Sequence, residues 1–166
     1  MSAVTRINEY NGAGTVLTAD IANVNFGSSD ASGLNPVTFP INAGENSFEK
    51  FLKLEVTNMN GVAAVRNLKV WRTGALGANA SLLTNARTTG YVNTTYATPV
   101  ATVSSKATQT MPSSEPATAN LGIATTLAGE LTAAGLSDYL VMQLQTTGAA
   151  VAGANFDVNI QRDEVA

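Results

Sequence analysis

The chain has neither cysteine nor histidine among its 166 residues. Without cysteine it cannot form a disulfide framework or a thiolate metal site. Without histidine it lacks the commonest proton shuttle near neutral pH and the commonest metal ligand. Because the two absences exclude the Ser-His-Asp triad and most other enzyme templates, we expect a protein that is not an enzyme and that needs no cofactor.

Charge is also scarce. Only 13% of the residues are charged, about half of the usual quarter for soluble domains, and the net charge is −3. Few long charged side chains means little rotamer entropy is lost when the surface is covered, which suits lasting contact with other protein. Nine scattered Lys and Arg residues do not form the dense basic patch that phosphate backbones require, so we expect no nucleic-acid partner.

Long apolar runs are missing as well. The N-terminus, MSAVTRINEYNGAG, has no apolar run of signal-peptide length, and no stretch approaches eighteen consecutive apolar residues. We therefore expect a protein that is made in the cytoplasm and has no membrane partner.

Alternation of apolar and polar residues is the dominant pattern that is present. FLKLEVT places Leu52, Leu54 and Val56 on one side, and RNLKVWR repeats the pattern with Leu68 and Val70. The intervening Asn60-Gly61 pair favours a tight turn, which predicts a hairpin. YLVMQLQ and NFDVNIQRD predict a second hairpin across a loop of small residues.

Weaker strand patterns occur at residues 21–26, 37–41, 90–96, 100–104 and 120–126, and only LAGELTAAGLSD has helical spacing. Many short strands separated by turn residues predict an all-β fold. We predict one antiparallel β-sandwich domain over residues 1–166, jelly-roll-like or immunoglobulin-like, with at most one short helix. Residues 1–20 are considered as an extended N-terminal arm of that domain.

Residues 96–123 are unusual because they contain three of the five prolines and only two charged residues. Each proline removes a backbone donor and pushes the preceding residue toward extended geometry, so a helix is excluded. Proline also confines strands to sheet edges. The pattern favours a crossover loop with one or two edge strands over the alternative, a protruding arm.

Acidic residues are the only candidate metal ligands. Asp157, Asp163 and Glu164 lie close in sequence, and Asp138 joins them if the last two strands pair. Their spacing matches no EF-hand loop, so we predict no metal site. A glycosidase would need two carboxylates across a cleft, and nothing in the sequence selects such a pair.

Aromatic and extended positions are the candidate interface residues. Trp71, the single tryptophan, lies beside Arg72, and Trp, Tyr and Arg concentrate binding energy at protein interfaces. Burial of Trp71 under a loop and stacking of a sugar on its ring are the alternatives. The full set of predicted interface residues is Trp71, Arg72, Tyr91, Tyr96, Met111, Pro112 and Pro116.

Parts of the chain resemble small structural proteins encoded near capsid genes of tailed bacteriophages. These parts are LKLEVTNMNGVAAVRNLKVWRTG, YATPVATVSSKATQTMPSSEPATANLGI, SDYLVMQLQTTGAAVAG and the closing FDVNIQRDEV. The resemblance covers roughly residues 51–165 and contains no catalytic motif. It implies a capsid decoration (cement) protein, or another head or tail accessory protein, in the virion. Its implied partners are the major capsid protein or other virion proteins and further copies of itself, in a trimer or another symmetric cluster, with the trimer favoured. A carbohydrate- or receptor-binding module of a tail fibre or adhesin is the alternative.

Overall fold

The computed structural model describes residues 1–151 and 155–166. This part of the chain contains no helix, and therefore none long and apolar enough to cross a membrane. It contains ten strands: β1 (Val4–Asn11), β2 (Val16–Thr18), β3 (Lys50–Asn58), β4 (Ala64–Ala75), β5 (Ala80–Thr84), β6 (Gln109–Thr110), β7 (Glu130–Leu131), β8 (Gly135–Leu136), β9 (Leu140–Thr146) and β10 (Asn155–Val165).

The strands form two antiparallel sheets of unequal width. The larger sheet has seven strands in the order β2-β1-β3-β9-β5-β6, with β8 pairing to β3 beyond the end of β9. The smaller sheet has the order β10-β4-β7. The predicted all-β sandwich is confirmed, and loops cover the part of the larger sheet that the smaller one leaves open.

The core lies between the sheets, and the alternation in the sequence correctly identifies much of it. Leu52 and Leu54 of β3 face Leu68 and Val70 of β4, and all four are at most 5% exposed. The same cluster includes further residues from the larger sheet and from the loop after β6: Leu82, Met111, Leu121, Ile123, Leu140, Met142 and Leu144.

Both predicted hairpins are wrong. β3 lies in the larger sheet and β4 in the smaller, and β9 and β10 are divided in the same way. Asn60 and Gly61 do form the expected turn, with φ of 51° and 86°, but it carries the chain from one sheet to the other. Two amphipathic strands joined by a turn bury their apolar faces equally well side by side or face to face, so alternation alone does not distinguish these arrangements. Residues 152–154 of the second connection lie outside the described residues.

Most of the weaker secondary-structure predictions are also wrong. The four segments from 21–26 to 100–104 are irregular, and 120–126 contains only isolated bridges, at Leu121, Ile123 and Thr126. The predicted helix is replaced by the two-residue strands β7 and β8. β1 was missed because Asn8, Glu9 and Asn11 are buried with its apolar residues and hide the alternation. β5 was missed because it is short.

The first twenty residues are not an arm. β1 pairs with β3 over seven positions and with β2 over three, so this segment is an integral part of the larger sheet. Ala3, immediately before β1, is 5% exposed.

Residues 96–123 form a crossover loop with one edge strand, β6, as the proline pattern predicted. Backbone hydrogen bonds attach this loop to both sheets, from Glu49 N to Val100 O at 3.0 Å and from Arg72 N to Pro112 O at 2.8 Å. Asn120 is fully buried and its side chain bonds both the N–H and the C=O of Val70. The loop is therefore part of the packed domain.

A fully buried ion pair joins β1 to β3. Lys50 Nζ donates to Glu9 Oε1 at 2.7 Å and to the carbonyl of Ala31 at 2.6 Å, and both charged side chains are 0% exposed. Asn11 donates to the same Glu9 oxygen and to Asp30 Oδ1. The network attaches the loop that contains residues 30 and 31 to the larger sheet.

Removing one member of this pair should strongly destabilise the protein. We expect Lys50→Ala to lower the free energy of unfolding by about 3–5 kcal/mol, because Glu9 would be left as a buried charge without a countercharge. Urea unfolding measures the change. The control is Arg6→Ala, which breaks the partly exposed pair with Glu55 and should cost no more than about 1 kcal/mol. A Lys50→Ala variant as stable as Arg6→Ala would contradict the expectation.

Candidate functional site

The sheet edges differ greatly in length. The larger sheet ends in β2, of three residues, and β6, of two, whereas one edge of the smaller sheet is β10, of eleven. A long edge strand presents a row of backbone donors and acceptors to any other extended chain, and natural proteins usually shorten or cover such edges. β10 is therefore the first candidate for a contact site.

One end of β10 is covered and the other is not. Arg162 donates to the carbonyl of Ala3 at 3.1 Å, and the N–H of Ala3 donates to Glu164 at 3.2 Å, so the N-terminus binds the last residues of the strand. Within the described residues, the backbone of residues 155–161 bonds only to β4. This half of β10 is a free edge.

An open seam runs beside the free edge. Phe156, Val158 and Ile160 point toward the core but remain partly exposed, because the three-stranded sheet does not extend over the far side of the larger one. Two recesses lie along this line. The larger, of about 520 Å³, includes Phe26, Phe39, Ile41, Leu144 and Phe156 in its lining, and the smaller, of about 270 Å³, includes Ile7, Ile21, Leu54, Val158 and Ile160. We call these two recesses and the free edge the β10 seam.

The loop between β2 and β3 forms the other wall of the seam. Ile21 N donates to Ile7 O at 2.9 Å, Val24 lines both recesses, and the rings of Phe26 and Phe156 lie 5.9 Å apart. Gly27 is required here because a Cβ would come within 2.9 Å of the backbone carbonyl oxygen of Phe39. The loop therefore has close packing of its own while leaving the seam open.

The chemistry of the seam suits binding and offers no general acid or base. The larger recess is lined, among the described residues, by no titratable side chain, and the smaller one carries only Arg6 and Arg162. A free strand edge supplies main-chain hydrogen bonds, and apolar recesses beside it accept alternate side chains of an added strand. The arrangement can hold an extended peptide segment.

The predicted interface residues do not form one surface. Trp71 is partly exposed on the outer side of β4, opposite Asn159 of β10, as the alternation predicted. Arg72 donates to Gly74 O at 2.9 Å, and its backbone N–H binds Pro112. Trp71, Arg72 and Pro112 thus lie close together, and Pro112 and Pro116 are partly exposed.

Met111 is a core residue, so the prediction that it lies at an interface is wrong. Its side chain is 1% exposed and its N–H donates to Leu82 O at 2.9 Å. The residue after it, Pro112, ends the β6 pairing, so the chain enters the core at Met111 before returning to the surface. Because no alternation surrounds Met111, its burial had no signal in the sequence.

Tyr91 and Tyr96 lie away from Trp71 and have internal partners. Tyr91 donates to Asp138 at 3.0 Å, and burial raises the pKa of its hydroxyl. Tyr96 donates to Gly12 O at 2.6 Å, and burial raises the pKa of its hydroxyl to about 12. The centroid of its ring lies 5.0 Å from that of Phe51 and 5.9 Å from that of Tyr139. Tyr96 thus packs on the outer side of the larger sheet, whereas Tyr91 packs against Gly122.

The acidic candidates are dispersed. Asp138 is 7% exposed and accepts from Tyr91 and from the N–H of Thr125, whereas Asp157 and Asp163 are exposed on β10. In residues 1–151 and 155–166, no group of three or more carboxylates lies close enough to hold a metal ion.

The residue pattern did not indicate the seam as a site. It predicted the strand at β10, but a strand becomes an edge only through its partners, and those were assigned wrongly. The one available signal was the length of the alternating run that ends the chain.

Comparison with known protein families, with curated proteins and with solved structures gave no match.

Stability should fall at high pH in a way that depends on Tyr96. The folded protein keeps the Tyr96 proton until about pH 12, whereas an unfolded tyrosine loses it near pH 10. The contribution of Tyr96 is therefore complete below about pH 10 and is lost as the pH rises through about 12.

Urea unfolding across this range, with ultraviolet absorbance to follow tyrosine ionisation, measures the loss. Tyr96→Phe should be less stable below pH 10, because Gly12 O loses its donor, and should show a shallower fall above it. A folded protein whose tyrosines all ionise near pH 10 would contradict this.

Proposed function

We propose that the protein is a non-enzymatic structural protein of a virion, one that binds the capsid and stabilises it as a decoration or cement protein. The single observation that carries the proposal is the β10 seam, a free strand edge flanked by one recess without charged residues and by a second that also contains Arg6 and Arg162. The sequence resemblance to phage structural proteins supports the same class. A surface with few charges suits a contact that persists.

The binding mode follows from the seam. An extended segment of a capsid protein adds beside residues 155–161 of β10 and places apolar side chains in the two recesses. Because the domain binds only the assembled shell, its binding stabilises that shell by mass action. At a free concentration about 100 times Kd the stabilisation is about 2.7 kcal/mol per site.

The resemblance also supports a closed cluster of identical subunits on the shell, with a trimer favoured, and location in the virion after synthesis in the host cytoplasm. Neither nucleic acid nor membrane is proposed as a partner. Closed symmetry is the usual state of homo-oligomers, and light scattering of the purified protein measures the subunit number.

The test uses shells of the encoding virus that were purified without this protein. We expect the wild-type protein to co-sediment with them and to raise their melting temperature. Val24→Trp should weaken binding at least about tenfold, because the indole would occupy the point where the two recesses meet. The matched control, Val16→Trp, places the same ring on the exposed strand β2 and should bind like wild type.

Absence of co-sedimentation by the wild-type protein, or an unchanged shell melting temperature when it is bound, would exclude the decoration function. Circular dichroism of both variants checks that each remains folded.

A second candidate, a carbohydrate- or receptor-binding module of a tail fibre or adhesin, is favoured by one observation. Trp71 is partly exposed on the outer side of the smaller sheet, between Lys69 and Thr73 along β4 and opposite Asn159. An accessible indole ring bordered by polar side chains suits stacking on a sugar. Glycan-array binding that is lost in Trp71→Ala would favour this function over capsid binding.

A further inference from the structure

A small polar recess lies at the edge of the larger sheet, away from the β10 seam. Its volume is about 190 Å³, and β6, the end of the β5 region and the irregular chain between them enclose it. Its lining contains two cationic residues and no acidic one: Asn85, Arg87, Val92, Thr94, Ser105, Lys106, Thr108 and Gln109.

Arg87 and Lys106 are two of the five basic residues that form no ion pair in the described part of the chain; the others are Lys53, Arg66 and Arg72. Arg6, Lys50, Lys69 and Arg162 each form an ion pair. In the described part of the chain Arg87 and Lys106 form none, although both line the same recess. Two cations with no acidic neighbour in a shared recess favour an anion between them.

Buried polar residues hold the walls in place. Arg87 N donates to Asn120 O at 2.9 Å, and the Asn85 side chain bonds Val141 N and Tyr139 O at 2.8 Å each. The hydroxyl of Ser104, 4% exposed, accepts from the N–H groups of Lys106 and Ala107 and donates to Glu49. The backbone positions of both cations are therefore set before any ligand arrives, which reduces the entropy lost on binding.

Several polar groups that line the recess have no hydrogen-bond partner among the described residues. Neither the guanidinium of Arg87 nor the ammonium of Lys106 has a hydrogen-bond acceptor among the described residues, and the hydroxyls of Thr94 and Ser105 are equally without partners. Arg offers a planar pair of donors to two oxygens of one anion, and Lys adds a compact charge. The volume is below the roughly 300–1,000 Å³ of drug-sized sites, so it suits a single small group.

We propose that this recess binds a small oxyanion, the shared chemistry of phosphate, sulfate and a sugar carboxylate, through Arg87 and Lys106 with hydroxyl donors from Thr94 and Ser105. This site does not depend on the proposed capsid function, because no residue of the β10 seam takes part in it.

The test is a titration of the ¹⁵N-labelled protein at low ionic strength, followed by amide chemical shifts. The probes are inorganic phosphate, sodium sulfate, glucuronate and, as an uncharged match to glucuronate, glucose. We expect saturable shifts at residues 85–87, 94 and 105–109 with at least one anion and none with glucose. Tighter binding of glucuronate than of the inorganic ions would identify a sugar acid as the source, and the reverse order would identify a free anion.

The double variant Arg87→Gln/Lys106→Gln should weaken that binding by about tenfold or more, since it removes both charge-assisted donors. The matched control is Arg66→Gln, at an exposed position on β4 in the other sheet. Absence of saturable shifts with all three anions would overturn the proposal. Equal weakening by Arg66→Gln would also overturn it, because it would show a general effect of net charge.

Discussion

The buried pair between Glu9 and Lys50 is the constraint on which much of the structure depends. Two charges at 0% exposure are tolerated in a protein interior only when each has a close partner. Here the lysine also binds the Ala31 carbonyl, and Asn11 connects Glu9 to Asp30. The pair therefore joins β1 and β3 and holds the loop that becomes one wall of the seam. An apolar pair at these positions would join the two strands, but it could not donate a hydrogen bond to the Ala31 carbonyl of this loop.

The unequal width of the two sheets explains where the candidate sites lie. Seven strands face three, so loops must cover the remainder of the larger sheet. Residues 96–123 cover part of it well, with Met111 and Asn120 buried at 1% exposure or less. The loop after β2 covers its part less completely and leaves Val158 and Ile160 half-buried beside a free edge. The seam is thus a consequence of an incomplete second layer.

Residue patterns predicted some features well because those features are local. Alternation in β3, β4 and β9 identified core residues such as Leu54, Val70 and Met142, and the prolines of residues 96–123 excluded a helix and indicated an edge strand. The failures also have physical causes. β1 carries polar residues on its buried side because Glu9 has a buried partner forty-one positions away. Arg87 and Lys106 had no motif because a recess is made by chains that meet only in the fold.

The sequence by itself determined the class of fold and the absence of cysteine and histidine chemistry, since composition and a two-residue period are properties of the chain. The tertiary structure alone decided that β3 and β4, and β9 and β10, lie in opposite sheets. Either arrangement buries the same apolar faces, and long-range pairing selects between them. That selection made β10 an edge strand. The free edge of β10 and the recess that contains Arg87 therefore arise from contacts between distant segments, and no local sequence pattern predicts such contacts.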